Sequence, residues 1–214
     1  MNFTPPRIYA ITDTRISGIS HEEQVARLIE GGIKFIQLRD KHASARSFYE
    51  SAKAAMSIAR PHNVTIVIND RVDIALAVGA DGVHLGQDDL SPEYARMILG
   101  SQGIVGYSTH SLEQAKETLR MPIDYIAIGP VFSTSTKEDP DPVVGPKMIA
   151  SVKGEIGTLP LVAIGGIAAD NIGSVFEAGA DAAALITGLI SRADQISEAA
   201  ERLILQADSC DKHR

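Results

Sequence analysis

Eight short apolar runs recur along the chain, and their spacing constrains the fold more than any other feature of the sequence. They are nearly continuous rather than alternating, which is typical of strands buried on both faces. The runs cover residues 8–12, 35–38, 65–68, 82–85, 104–107, 125–128, 161–164 and 182–186. Segments with helical periodicity lie between them, including 21–30, 45–59, 92–99, 112–119 and 171–177. Eight strand–helix units in 214 residues predict a single-domain α/β protein with a (β/α)8 TIM-barrel fold, and a doubly wound open sheet is the alternative.

Glycines punctuate this pattern just before several strands. Gly31-Gly32, Gly79 and Gly179 each lie a few residues before an apolar run. Glycine tolerates the positive φ with which many helices end. Since no linker or low-complexity stretch interrupts the pattern, we expect one barrel over residues 1–207 and a polar C-terminal tail over 208–214.

Composition excludes several classes of protein. A net charge of −7 argues against nucleic-acid and membrane-surface binding. No apolar run approaches the ~18 residues that span a bilayer, and the N-terminus lacks the pattern of a signal peptide. The single cysteine, Cys210, leaves no disulfide framework, so we expect a cytoplasmic protein. The sequence leaves a homo-oligomer open.

Carboxylates follow two successive strands. Asp70 comes after run 65–68, and Asp89 comes after run 82–85. Neighbouring strand ends lie side by side at the mouth of a parallel barrel, where catalytic groups are found. Mg²⁺ uses few carboxylates and takes waters and substrate phosphates as its other ligands. The two acids therefore indicate a magnesium site, and the alternatives are an acid–base pair or helix N-caps formed by Asp70 or Asp88.

Cationic side chains follow the second strand. Alternation along a strand places Gln37, Arg39 and Lys41 on one face. Two cations and an amide at a barrel mouth form a pocket for an anion such as phosphate. The alternative is an ion pair with Asp40 or with a neighbouring strand end. Ser108, after the fifth strand, is a candidate donor to a ligand or a helix cap, whereas we expect His84 and His110 to be ordinary structural residues.

Hydroxyls and glycines follow strands six, seven and eight. Thr134, Ser135, Thr136 and Lys137 open the long segment 133–145, which predicts a functional loop or lid that binds phosphate. A mobile polar loop is one alternative, and a Schiff-base Lys137 is another, although nothing indicates the desolvation that would activate an amine. Glycines at 165, 166 and 188 let backbone amides approach an anion at the usual phosphate site of this fold. The sequence thus predicts a diphosphate site and a monophosphate site at one mouth.

Six blocks in this order resemble the thiamine phosphate synthases. They are QLRDK at 37–41, INDR at 68–71, GVHLGQDDL at 82–90, GPVF at 129–132, TSTK at 134–137 and AIGGI at 163–167. The resemblance extends over nearly all of the chain. It departs from the family at Ser133, where proline is common, and at Thr187, where serine is more frequent.

The resemblance implies a transferase and a set of site residues. The enzyme would condense 4-amino-2-methyl-5-hydroxymethylpyrimidine diphosphate with 4-methyl-5-(2-phosphoethyl)thiazole, giving thiamine monophosphate and diphosphate by a dissociative mechanism. Mg²⁺ would be the cofactor, held by Asp70 and Asp89. The residues implied for the pyrimidine diphosphate are Gln37, Arg39, Lys41, Asn69, Ser108 and Lys137. Those implied for the thiazole phosphate are Thr134, Ser135, Thr136, Gly166, Ile186 and Thr187.

Three other functions remain as alternatives. One is a thiazole tautomerase-like paralogue on the same scaffold, although such relatives carry a histidine near the position of Pro130. The second is a phosphosugar isomerase or aldolase barrel. The third is a non-catalytic binding domain of the thiamine pathway, which would bind ligands without turnover.

Overall fold

The eight predicted strands form a closed parallel barrel in chain order. The structure, a computed structural model, describes residues 3–134, 136 and 141–210. The strands are β1 Ile8–Thr12, β2 Phe35–Leu38, β3 Thr65–Asn69, β4 Gly82–Leu85, β5 Ile104–Thr109, β6 Tyr125–Ile128, β7 Leu161–Ile164 and β8 Ala182–Leu185. Pairing of β1 with β8, in the register Ala10 to Leu185, closes the barrel. The alternative of an open sheet is therefore wrong.

Helices follow the strands and cover the outside of the barrel. They are α1 Thr14–Ser17, α2 His21–Glu30, α3 Ala45–Ala59, α4 Val72–Val78, α5 Pro92–Leu99, α6 Leu112–Glu117, α7 Pro146–Ile156, α8 Ile172–Glu177, α9 Thr187–Ile190 and α10 Ile196–Ser209. The hydroxyls of Ser20 and Ser111 cap α2 and α6. Because α10 continues to Ser209, the helix includes the first two residues of the expected tail. No helix in the described ranges is long and apolar enough to cross a membrane.

Large side chains fill the inside of the barrel. The rings of Tyr9 and Phe35 stack with centroids 4.0 Å apart, and the ring of Tyr125 meets both edge-on. Gly106 on β5 makes room for this cluster, since a Cβ there would lie 2.1 Å from Cζ of Tyr125. The interior is therefore packed solid below the mouth, as expected for an eight-stranded barrel.

Three aspartates bind neighbouring strands together at the N-terminal end of the barrel. Asp81, Asp124 and Asp181 each lie directly before an even-numbered strand. One carboxylate oxygen of each accepts a backbone N–H from the start of the preceding odd-numbered strand. The donors are Ile66, Val105 and Leu161, at 2.7, 2.8 and 2.8 Å. These bonds help to fix the barrel at the end opposite the predicted site.

Candidate active site

Lys41, Asp70 and Asp89 meet at the mouth of the barrel. Asp70 directly follows β3 and adopts a left-handed backbone conformation with φ of +61°, which Asp tolerates better than most residues. Its N–H donates to the carbonyl oxygen of His84 on β4, at 2.8 Å. The Lys41 ammonium lies 2.5 Å from Oδ2 of Asp70. The turn after β3 thus presents its carboxylate to a cation from the neighbouring strand end.

Asp89 lies beside Asp70 and is held by its own turn. One Asp89 oxygen accepts the N–H of Gly86 at 2.7 Å. Burial raises the pKa of Asp70 to about 6, and the negative charge of Asp89 adds to this effect while Lys41 opposes it. Two neighbouring carboxylates, one of which has a raised pKa, are suited to binding a divalent cation, because its positive charge favours the ionised form of both. No cluster of three or more acidic, His or Cys side chains suited to a metal occurs in the described part of the chain, so such a cation would need ligands beyond these two.

The alternative that these acids are helix caps is wrong. The N-cap of α4 is Arg71, and that of α5 is Ser91. Asp88 is exposed in the turn before α5. Neither Asp70 nor Asp88 therefore occupies a capping position.

Arg39 pairs with an acid that the sequence analysis did not single out. Its guanidinium donates to Oδ2 of Asp13, which directly follows β1. Asp40 instead accepts the N–H groups of His42 and Ala43. The other alternative, an ion pair with a neighbouring strand end, is observed: Arg39 pairs with Asp13 after β1, and Lys41 pairs with Asp70 after β3. Asp13 obeys the same strand-end rule as Asp70, and that rule could have found it. Asn69, buried at the end of β3, lies in register with His84.

A chain of hydrogen bonds crosses the barrel below the mouth. Gln37 Nε2 donates to the Tyr9 hydroxyl at 2.6 Å, and that hydroxyl lies 2.9 Å from the hydroxyl of Tyr125. Tyr125 also contacts Nδ1 of His84, whose Nε2 contacts Oγ of Ser108, both at 2.9 Å. Burial lowers the pKa of His84 to about 4, so the imidazole is neutral near pH 7. His84 is confirmed as a satisfied buried residue, but the link that it makes between two predicted ligand-binding residues was not anticipated.

The loops after β6 and β7 pack directly on one another. Thr136 donates its N–H to Oγ1 of Thr134, at 3.3 Å. Gly166 has a φ of +62°, and a Cβ there would lie 2.4 Å from the carbonyl oxygen of Ser133. Only glycine allows the backbone of Ser133 to come this close to residue 166. Thr134, the next residue, and its partner Thr136 therefore lie close to the glycine turn. Ser135 and Lys137 lie outside the described residues.

Ile186 and Thr187 lie at the start of α9, directly after β8. The carbonyl oxygen of Ile186 accepts the N–H of Ile190 at 2.9 Å. A Cβ on Gly188 would lie 2.6 Å from the carbonyl oxygen of Ile167, so this turn touches the loop after β7. The structure thus brings the described members of the two predicted sets to the same end of the barrel, Gln37, Arg39, Lys41, Asn69 and Ser108 at β2–β5 and the others at β6–β8.

Known proteins with the same architecture share much of this sequence. A sequence profile described as "Thiamine monophosphate synthase" matches residues 8–189. The chain is 46% identical over 193 residues to a thiamine-phosphate synthase of Syntrophomonas wolfei, covering 90% of this chain and 92% of the relative. Identity to the thiamine-phosphate synthase of Koribacter versatilis is 44% over 192 residues, covering 86% and 89% of the two chains.

A solved structure described as thiamine phosphate pyrophosphorylase from Pyrococcus furiosus superimposes with a TM-score of 0.86. It is 35% identical in sequence, and the match covers 96% of each chain. Profile, sequence and structure therefore agree over nearly the whole barrel. The chain belongs to the thiamine monophosphate synthase family, transferases that condense a pyrimidine diphosphate with a thiazole phosphate.

Proposed function

We propose that the β2–β5 side of the mouth binds Mg²⁺ and 4-amino-2-methyl-5-hydroxymethylpyrimidine diphosphate, while the β6–β8 side binds 4-methyl-5-(2-phosphoethyl)thiazole. The observation that carries this proposal is the contact between Lys41 and Asp70 next to Asp89. It gathers both signs of charge at one point of the mouth, as a metal–diphosphate requires.

The proposed residues divide into two sets. The pyrimidine diphosphate is bound by Gln37, Arg39, Lys41, Asn69 and Ser108 on the β2–β5 side, and by Lys137, which follows β6 in the sequence. The thiazole phosphate is bound by Thr134, Ser135, Thr136, Gly166, Ile186 and Thr187. Backbone amides at the glycine turn and at the start of α9 suit the monophosphate, since amides near a strand end can approach phosphate oxygens closely.

Asp70 and Asp89 would hold the metal. Burial and the nearby charge of Asp89 disfavour ionisation of Asp70, so an added cation relieves both effects. When bound, Mg²⁺ would neutralise negative charge on the departing diphosphate.

The reaction is proposed to be dissociative, with cleavage of the carbon–oxygen bond before the thiazole nitrogen attacks. Arg39 and Lys41 then stabilise the leaving diphosphate, each exchanging a carboxylate partner for phosphate oxygens. The second substrate is held in line on the opposite side of the mouth, a proximity effect of several kcal/mol. Such a step needs no protein base, which agrees with a neutral, fully bonded His84.

Release of diphosphate tests the overall proposal. Purified protein with both substrates and Mg²⁺ should release diphosphate and form thiamine monophosphate, and no release above an enzyme-free control would overturn it. Water enriched in ¹⁸O, supplied with the pyrimidine diphosphate alone, tests the bond that breaks. Slow hydrolysis should place the label in the pyrimidine alcohol, whereas label in the phosphate would contradict carbon–oxygen cleavage.

Two alternatives to this function predict different outcomes. A thiazole tautomerase would change the thiazole without releasing diphosphate. An aldolase would be trapped covalently by borohydride at Lys137 in the presence of substrate. We also propose a cytoplasmic location, which the single cysteine and the phosphorylated substrates support.

A further inference from the structure

The hydrogen bonds from Gln37 to Ser108 below the mouth can all run in one direction. Gln37 directs its amide nitrogen at Tyr9, and an amide nitrogen only donates. The Tyr9 hydroxyl therefore accepts from Gln37, which leaves its one hydrogen available to the hydroxyl of Tyr125. With Tyr9 as that donor, Tyr125 donates its own hydrogen to Nδ1 of His84. The hydrogen of the neutral imidazole is then on Nε2 and is donated to Oγ of Ser108. The hydroxyl hydrogen of Ser108 is therefore not needed for any of these hydrogen bonds.

We propose that Tyr9, Tyr125 and His84 are positioning residues that hold Oγ of Ser108 as a hydrogen-bond donor toward the ligand in the mouth. This inference rests on the proposed function, because it takes the ligand of Ser108 to be an acceptor atom of the pyrimidine diphosphate. It deepens that function by assigning a role to three buried residues that do not themselves supply charge to the diphosphate.

Packing fixes the positions of the side chains that make these hydrogen bonds. Tyr9 stacks on Phe35, and Tyr125 stacks on His84 with centroids 5.5 Å apart. The ring of Tyr125 also packs directly against the backbone of Gly106. Tyr9 and Tyr125 are fully buried, so bulk water does not compete for their hydroxyls. Burial also raises the pKa of both tyrosines, so each keeps its hydrogen.

The backbone of Ser108 is fixed as well. Its carbonyl oxygen accepts from Nε2 of Gln87, at 2.5 Å, on the side of β4. The Ser108 side chain is thus held between His84 and the open mouth. A donor in such a place serves a ligand acceptor without a reorganisation cost when the ligand arrives.

The tautomer of His84 tests the direction without any ligand or turnover. Protein labelled with ¹⁵N-histidine would be studied by NMR, with the His84 signals assigned by their loss in His84→Gln. We expect Nε2 to carry the hydrogen and Nδ1 to be the acceptor. A hydrogen found on Nδ1 would reverse the chain and overturn the proposal.

A double-mutant cycle tests the coupling. Tyr125→Phe and Ser108→Ala should each lower kcat/KM for the pyrimidine diphosphate about tenfold, the usual effect of one lost hydrogen bond to a ligand. The double variant should be no worse than Ser108→Ala, because both changes remove the same donated bond. Losses that multiply would show that the two residues act independently. Should Tyr125→Phe not fold, Tyr9→Phe takes its place in the cycle with the same expectation.

Thr109→Val is the matched control. Thr109 is also buried on β5 and donates through its hydroxyl to the carbonyl oxygen of Ala127 at 2.9 Å, outside the chain. Its loss should leave kcat/KM unchanged at a similar cost in stability. A wild-type protein that forms no product would refute the proposed function, while the tautomer measurement would still decide the direction of the chain.

Discussion

Lys41, after β2, lies within 2.5 Å of the carboxylate of Asp70, which follows the neighbouring strand β3. A cation belonging to the chain therefore contacts one of the two acids proposed to bind Mg²⁺. Mg²⁺ held by Asp70 and Asp89 would take the place of Lys41 as the positive partner of Asp70, and Lys41 would then be available to the diphosphate.

The charge of Asp89 should determine the Mg²⁺ requirement. Asp89→Asn removes the negative charge, yet its amide oxygen can still accept the N–H of Gly86. We expect the apparent Mg²⁺ affinity, measured from diphosphate release, to fall at least tenfold, with the free energy of unfolding changed by less than about 1 kcal/mol. Asp88→Asn, in the same turn but exposed, should leave the Mg²⁺ dependence unchanged. Unfolding of Asp89→Asn would indicate a structural role instead.

The stability of the metal-free protein should depend on the ionisation of Asp70. Burial raises the pKa of Asp70 from 3.8 to about 6, so the folded state binds a proton more tightly than the unfolded state. The resulting stabilisation is fully present below pH 3.8 and is lost as the pH rises through about 6. Asp70→Asn lacks this dependence, and Asn tolerates the left-handed backbone. Relative to wild type, it should therefore gain stability between pH 4.5 and pH 7.5 in urea unfolding with a chelator. A constant difference across that range would refute the raised pKa.

Asp13 should affect substrate binding through Arg39. Asp13→Asn removes the ion pair with Arg39 but keeps a side-chain oxygen to cap α1. We expect KM for the pyrimidine diphosphate to rise about tenfold, with a smaller effect on kcat, because the guanidinium is no longer held in place. The exposed pair of Arg71 and Asp73 provides the comparison, and Asp73→Asn should leave KM unchanged. Equal effects of the two variants would contradict the proposed role.

Gly106 should be intolerant of any side chain. Its added Cβ would overlap the Tyr125 ring, so we expect Gly106→Ala to lower the free energy of unfolding by about 3 kcal/mol. Gly154, within α7, has open space around it, and Gly154→Ala should raise stability by up to about 1 kcal/mol. Urea denaturation compares both variants with wild type. A Gly106→Ala protein as stable as wild type would mean that the aromatic cluster can shift.

The strands were predictable because parallel strands buried on both faces consist of continuous apolar residues. The polar residues at the ends of the strands were harder to predict. Asn69 and Thr109 continue the ladders of β3 and β5, in register with His84 and Ile128, although neither is apolar. Local sequence contains no signal for such pairing, which depends on the neighbouring strand.

The position of a charged residue at the mouth was predictable wherever it follows a strand, as Asp70, Asp89, Arg39 and Lys41 all do. Partners from distant strands were not predictable. Tyr9 and Tyr125, 116 residues apart, read as ordinary core aromatics, and only the closed barrel brings their hydroxyls together. The contact of Arg39 with Asp13 likewise requires β1 and β2 to be adjacent.

Aspartates perform opposite tasks at the two ends of this barrel. Asp81, Asp124 and Asp181 have their carboxylates bonded to strand N–H groups, so their work is finished once the chain has folded. Asp70 and Asp89 lie at the far end, where no strand depends on them for its first N–H. Replacing the loops at that end with those of another barrel would thus leave the hydrogen bonds of Asp81, Asp124 and Asp181 intact. The same barrel could therefore accept loops that bind other phosphorylated substrates without a change in its strands.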